Sequence, residues 1–384
     1  MTAANFSSEV IYADNAATTQ IDDEALALMC DLQRNFFANP SSAYRLARPL
    51  RKILQESREK IAACINAEPH EIFFTSGGTE SDNWAIKSVA LANLSDRPHI
   101  ITSAIEHKAI LNSCAAMKNL GCRVTKLPVD KFGAVNPVDL QENISPRTKI
   151  ISVMFANNEV GTIQPVATLA DIAHASGKIF HTDAVQAIGH IPVDVQNLGA
   201  DMLSASAHKF NGPKGVGFLY VRDGLDLPPH IDGGAQEFAR RAGTENVPAI
   251  AAMALALEKN CRDINETAAN LSTCTKILLD CLTSNGVDFI VNGGRNRLPG
   301  HLSLSLKDRD GETLMHRLDL KKICVSTGSA CNSHKTKISH VLRAMNIPEN
   351  YIRGTIRITF GRKNSPSDAK KIGDCISEIN ALTV

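Results

Sequence analysis

Between residues 70 and 222, short apolar runs rich in β-branched and aromatic side chains alternate with longer stretches of helical period. The runs fall at 71–75, 99–102, 123–127, 149–155, 179–182, 202–205 and 216–221. Several are apolar almost throughout, the pattern of strands covered on both faces. Helical stretches separate most of them, among them 81–94, 107–120 and 165–176. Strand and helix in alternation predict a mostly parallel sheet with helices on both faces. Past residue 255 the pattern changes. A long helical stretch at 258–284 leads to β-like pieces at 302–306, 323–325 and 356–360, then to a last helix at 367–381. That order predicts a second, smaller α+β domain.

The 384 residues are 43% hydrophobic, enough for a large core and for two domains. The charge balance is even, at +1. It offers no electrostatic reason to expect nucleic acid or an anionic membrane as a partner. Residues 1–10 lack a basic stretch followed by an apolar core, so no signal peptide is expected. The apolar stretch around 247–257 is too short to span a bilayer and reads as a helix. Ten cysteines are scattered without a C-x-x-C pair or zinc-finger spacing, which points to a reducing, cytoplasmic compartment. Nine of them read as small buried hydrophobes, Cys324 included. The histidines form no H-x-x-x-H pair on a predicted helix, so no resident metal is expected.

In open α/β sheets ligands lie beyond the carboxyl ends of the strands, so the polar residues there carry the chemistry. The first run ends in Ser76-Gly77-Gly78-Thr79-Glu80-Ser81, a glycine turn opening a helix and hence a phosphate cradle. An equally ordinary reading is a capped turn. The second is followed by Glu106-His107-Lys108, where a histidine can stack on a ring or move a proton. Then come Asn157-Asn158-Glu159 and His181-Thr182-Asp183-Ala184-Val185-Gln186. An aspartate ending a buried strand needs a cation, such as a protonated pyridine, or several donors; a helix cap would satisfy it too. Last is Ser206-Ala207-His208-Lys209, with Lys209 placed to form a Schiff base.

Taken in order, these pieces resemble the cysteine desulfurases of the nitrogenase and iron–sulfur-cluster type, which are fold-type I, class-V aminotransferase-like enzymes. The resemblance runs from Tyr12-Ala13-Asp14-Asn15-Ala16-Ala17 to Gly361-Arg362 and includes Asn39-Pro40-Ser41-Ser42 and Arg241-Ala242-Gly243-Thr244-Glu245-Asn246. It implies an α/β fold: a large domain (16–255) with a mostly parallel seven-stranded sheet, and a smaller α+β domain (256–384) against which residues 1–15 pack. It implies pyridoxal 5′-phosphate carried by Lys209, with Asp183 pairing the ring nitrogen and His107 stacked on the ring. Asn158 and Gln186 would flank substrate and cofactor, and Gly78, Thr79, Ser206 and His208 would hold the phosphate. Thr244 matches a threonine contributed by the partner subunit, so a homodimer is expected. Arg357 matches the clamp for the substrate carboxylate, a role its planar fork suits.

Cys331 lies in the small, polar run Ser329-Ala330-Cys331-Asn332-Ser333-His334, which reads as an exposed loop. An exposed thiol is a poor structural choice, and the family's sulfur-accepting cysteine occupies such a segment. His334, Lys335 and Lys337 would favour its thiolate. The resemblance then implies that L-cysteine becomes alanine while Cys331 receives the sulfur as a persulfide. That sulfur passes to an acceptor protein for iron–sulfur cluster assembly or another thiolation, with transient iron–sulfur ligation by Cys331 as a further possibility. Lys209 would move the α-proton and His107 the thiol proton. Selenocysteine lyase shares the fold and the lysine chemistry, but selenium can leave without a protein thiol, so Cys331 favours desulfuration. An aminotransferase needs no loop cysteine. An inactive binding subunit would not need Lys209, Asp183, His107, Arg357 and Cys331 together.

Overall fold

The apolar runs become the strands of a seven-stranded sheet. The computed structural model of the chain describes residues 10–327 and 338–382. Its strands, in chain order, are β1 (Ile11–Tyr12), β2 (Ile72–Thr75), β3 (His99–Ser103), β4 (Arg123–Leu127), β5 (Thr148–Ser152), β6 (Ile179–Asp183), β7 (Met202–Ser206) and β8 (Gly217–Val221). After these come β9 (Phe289–Asn292), β10 (His301–Leu306), β11 (Ile323–Cys324) and β12 (Thr355–Thr359). The large sheet has the order β2-β8-β7-β6-β5-β3-β4, parallel except that β8 runs antiparallel to both of its neighbours.

Side chains alternate across each strand, and both faces are apolar. Ile100, Ile150, Met202 and Leu219 pack on one side with Trp84, Val89 and Ile110. Ile101, Ile151, Leu203, Phe218 and Tyr220 pack on the other with Leu54, Ile61, Leu169 and Leu257. The runs are apolar nearly throughout because helices cover both faces. A separate core forms between β10 and β12 and the helices Ile264–Ser284 and Pro366–Ala381, and it includes Ile11 and Ala13. There β9, β10 and β12 form an antiparallel sheet, while β1 pairs in parallel with β11 and Asp14 bridges to Thr359. The start of the described chain is thereby stitched to the C-terminal core, and it continues into Ala16 and Ala17 beside the large sheet.

Three expectations need correction. The helix expected at 258–284 is two helices, Val247–Arg262 and Ile264–Ser284. Asp263 breaks the register, and its carboxylate is held by Arg262 and Arg362. The run at 149–155 leaves the strand after Ser152, although Val153 and Phe155 still donate to the carbonyls of His181 and Asp183. Among the cysteines, Cys114, Cys122 and Cys274 are buried, but Cys30 is exposed and Cys64, Cys261, Cys281, Cys324 and Cys375 are half-buried. Among the described residues no helix is long and apolar enough to cross a membrane.

Candidate active site

Beyond the carboxyl edge of the large sheet lies a cavity of about 310 Å³. Its walls include Gly78, Thr79, His107, Asn158, Asp183, Gln186, Ser206, His208, Lys209 and Arg357, which the sequence scatters over nearly 280 residues. Thr244 lies exposed outside this cavity in its own chain. Cys331, His334, Lys335 and Lys337 lie outside the described residues.

The phosphate end is built by close packing. β2 runs out into Gly77, whose φ of +144° favours glycine, and Gly78 begins the helix Gly78–Ala92. A Cβ at Gly78 would sit 2.5 Å from Val185 Cγ2. The turn is therefore pressed against the loop after β6, with the free N–H groups of the helix start beside Ser206 and His208. Thr79, Ser206, His208 and Lys214 also line the adjoining recess. Burial pushes the His208 imidazole down to about 4, helped by Lys209 and Lys214.

The ring end is built by Asp183 and His107. Asp183 ends β6 at 4% exposure, and its Oδ1 accepts only from the Val185 N–H, at 2.9 Å. Burial raises its pKa, against the pull of His107 and Lys209. His107 caps the helix Lys108–Asn119: the Ala109 N–H donates to Nδ1 at 3.2 Å, so a neutral ring carries its proton on Nε2. The ring is open to the cavity, yet the walls strip enough solvent to lower its pKa, so the neutral form prevails. Lys209 lies in the short turn after β7. Its Nζ donates to the carbonyls of Ala16 at 2.6 Å and Ala17 at 2.8 Å, and Gln186 Nε2 also donates to Ala16.

Arg357, in the middle of β12, enters from the other core at 5% exposure. One terminal nitrogen donates to the Asn158 carbonyl at 2.9 Å and the other to Asp14 Oδ1 at 2.6 Å. Its buried Nε has no hydrogen-bond partner, which leaves a donor for a ligand carboxylate. Its backbone pairs with Ser326, and Ser326 and Thr327 line the cavity just before the segment that carries Cys331. Downstream of that segment, Ser339 donates to Glu159, the neighbour of Asn158, and His340 Nε2 meets the Glu106 carbonyl at 3.0 Å, next to His107.

These residues fit a phosphorylated pyridine ring. The helix start suits a phosphate, the buried Asp183 carboxylate suits a ring cation, and Lys209 lines the same cavity. Two acidic residues were given no role from sequence: Asp82 lines the cavity, and Asp14 stands behind Arg357. Asp14 sits within the quoted N-terminal motif, but its partner lies 343 residues away. Asp82 lies within a helix, where a charge ordinarily reads as a solvated face. Asp14 orients the Arg357 fork, so Asp14→Asn is expected to raise KM about tenfold, near the ~1.4 kcal/mol of a charged hydrogen bond, and to leave kcat within about threefold. Steady-state kinetics with the amino-acid substrate checks this, and an unchanged KM would remove the role.

A family model described as aminotransferase class-V matches residues 11–372. The chain is 44% identical over 372 residues to the cysteine desulfurase IscS of Methanosarcina thermophila, covering 97% of this chain and 92% of that protein. Among solved structures it is similar to a NifS-like protein, at 37% identity and a TM-score of 0.92, covering 97% of this chain and 100% of that one. It is also similar to SspA in complex with cysteine, at 35% identity and a TM-score of 0.82, covering 91% and 98%. With a match along almost its whole length and a cavity that suits the cofactor, the chain belongs to the aminotransferase class-V family, in the group that carries the cysteine desulfurases.

Proposed function

We propose that this chain is a pyridoxal-phosphate-dependent cysteine desulfurase, converting L-cysteine to L-alanine and delivering the sulfur to Cys331 as a persulfide. The observation that carries this reading is the convergence of Lys209, Asp183, His107 and Arg357 on one cavity. The cysteine bound by SspA supports the substrate.

Bound pyridoxal phosphate supplies an electron sink conjugated to the substrate's α-carbon. Gly78, Thr79, Ser206 and His208 would hold its phosphate, and the Asp183 carboxylate would face its ring nitrogen. Lys209 would be the residue that carries the cofactor and the base that moves the substrate's α-proton. Arg357 binds the substrate carboxylate, and Asn158 and Gln186 flank it. His107 would face the ring, and its Nε2 would be available to move the thiol proton. Cys331 stands four residues after Thr327, a span of at most about 14 Å, so the chain can bring its thiol to the cavity. The persulfide then passes to an acceptor protein for iron–sulfur cluster assembly or another thiolation.

With a division into 16–255 and 256–384, and residues 10–15 joined to the latter, the cavity would lie at the meeting of the two domains; residues 1–9 of the expected N-terminal segment lie outside the described residues. Thr244 of each subunit completes the phosphate site of the other in a homodimer. The compartment is the cytoplasm. The test is alanine released from L-cysteine by the cofactor-loaded protein with a thiol reductant. Equal amounts of alanine and sulfide are expected; no alanine from a protein with full cofactor absorbance would overturn the reading, and turnover of selenocysteine alone would replace it with the lyase.

A further inference from the structure

Asp82 presents a problem that the roles above do not solve. It lies in the first turns of the helix Gly78–Ala92, at 1% exposure, and lines the active-site cavity. Its Oδ1 has no hydrogen-bond partner. Ligand atoms of Asp82, Asp183 and His107 lie within 4.8 Å of one another. Two carboxylates that close in a dry site cannot both hold a charge unless a cation lies between them.

Among the described residues the neighbours of Asp82 itself provide no such cation. His181 Nε2 is 3.8 Å from Asp82 Oδ1, but both ring nitrogens are engaged by the hydroxyls of Ser152 and Ser204, and burial holds its pKa at about 3. Ser204 gives Asp82 a neutral hydrogen bond. Glu106 approaches from the loop after β3, and burial raises it to about 8. Cys114, on the helix Lys108–Asn119, is pushed up to about 12 and stays neutral. His107 and Lys209 act on Asp183, which also accepts the Val185 N–H, whereas Asp82 feels burial first and then repulsion from Asp183 and Glu106. Of the two carboxyls, Asp82 therefore keeps the proton and Asp183 the charge.

We propose that Asp82 is a positioning residue that stores the proton for the cofactor's ring nitrogen: Asp82 and Asp183 share one proton in the cofactor-free enzyme, and it moves to the ring as the cofactor docks. The carboxyl O–H bond breaks with its electron pair left on oxygen, and the N–H bond forms. The cluster carries one negative charge before and after, because one pyridinium then stands against two carboxylates. The buried, unpartnered Asp82 oxygen is the cost of holding that proton ready in the empty site. The inference rests on the cofactor reading of the cavity and concerns its loading rather than its turnover.

The test is the dissociation constant of pyridoxal phosphate for the cofactor-free protein across pH 6.5 to 9, in native protein and Asp82→Asn. The native protein takes up no proton at this site on binding, whereas the amide variant must take one from solvent. Once pH exceeds the ring nitrogen's own pKa, the ratio of variant to native dissociation constants is expected to grow about tenfold per pH unit. A ratio that stays constant across pH, the mark of a merely structural role, would overturn the proposal. If Asp82→Asn does not fold, Asp82→Ser removes the same proton and serves the same comparison. Failure of the native protein to bind the cofactor at any pH would instead sink the function proposed above.

Discussion

Lys209→Ala is expected to abolish covalent attachment of the cofactor and to lower alanine formation from L-cysteine by about 10²- to 10⁴-fold, the usual worth of a positioned base. The argument rests on where the side chain is held. Lys209 follows β7 in a one-turn helix, and its backbone carbonyl meets His190 Nε2 at 2.8 Å, which fixes the turn. The Ala16 and Ala17 carbonyls hold Nζ at the cavity wall, on the side where Asp183 and His107 converge. In the proposed mechanism one amine would serve as attachment point and as the base that moves the α-proton, and among the described residues no other lysine lines this cavity. Borohydride reduction separates the two effects. The native protein should retain cofactor through denaturation, and the variant should release all of it while still binding it reversibly through the phosphate turn and Asp183. Cofactor still fixed by reduction in the variant would assign the attachment to another lysine. Lys214, in the adjoining recess, would be the first to examine.

The large sheet was legible because both of its faces are covered. A strand such as Ile100–Ile101 or Leu203–Ala205 has no solvent side, so its apolar run stands out from the helices that flank it. The polar residues that end those runs were legible as well, since an Asp183 or a Lys209 beside a buried strand is costly without a partner. What failed was local or long-range. Phe289–Asn292 was passed over because its strand is short and mostly half-exposed. The break at Asp263 was passed over because its neighbours are good helix formers and its partner Arg362 lies far along the chain. Asp14 and Asp82 illustrate a general limit. Each is an ordinary acidic residue by local sequence, and only the fold brings Asp14 to Arg357 and Asp82 to Asp183. Arg357 itself sat in a β-like run but took its role from family resemblance, because its β strand belongs to a different sheet from the strands that end in Asp183 and Ser206.

Cys331→Ala is expected to lower alanine formation from L-cysteine by at least about 10²- to 10³-fold while leaving cofactor absorbance and cofactor affinity unchanged. In the proposed site Lys209, Asp183 and the phosphate turn would hold the cofactor, so the Cys331 thiol would have no part in loading it. Its part comes later. The substrate's sulfur needs an acceptor to leave its carbon, and among the described residues that line the cavity none is a cysteine. Both flanks of the 328–337 segment are tied to catalytic neighbours: Ser326 to the Arg357 backbone upstream, and Ser339 to Glu159 downstream. These anchors hold the described residues Ser326 and Ser339 beside Arg357 and Glu159, the neighbourhood in which the proposed thiol acceptor would act. Selenocysteine sharpens the comparison, because selenium leaves carbon more readily and depends less on a thiol. The variant should therefore lose far more activity on cysteine than on selenocysteine. Equal losses on both substrates would mean that Cys331 supports the site as a whole, and an unchanged rate on cysteine would mean that sulfur leaves without a protein persulfide.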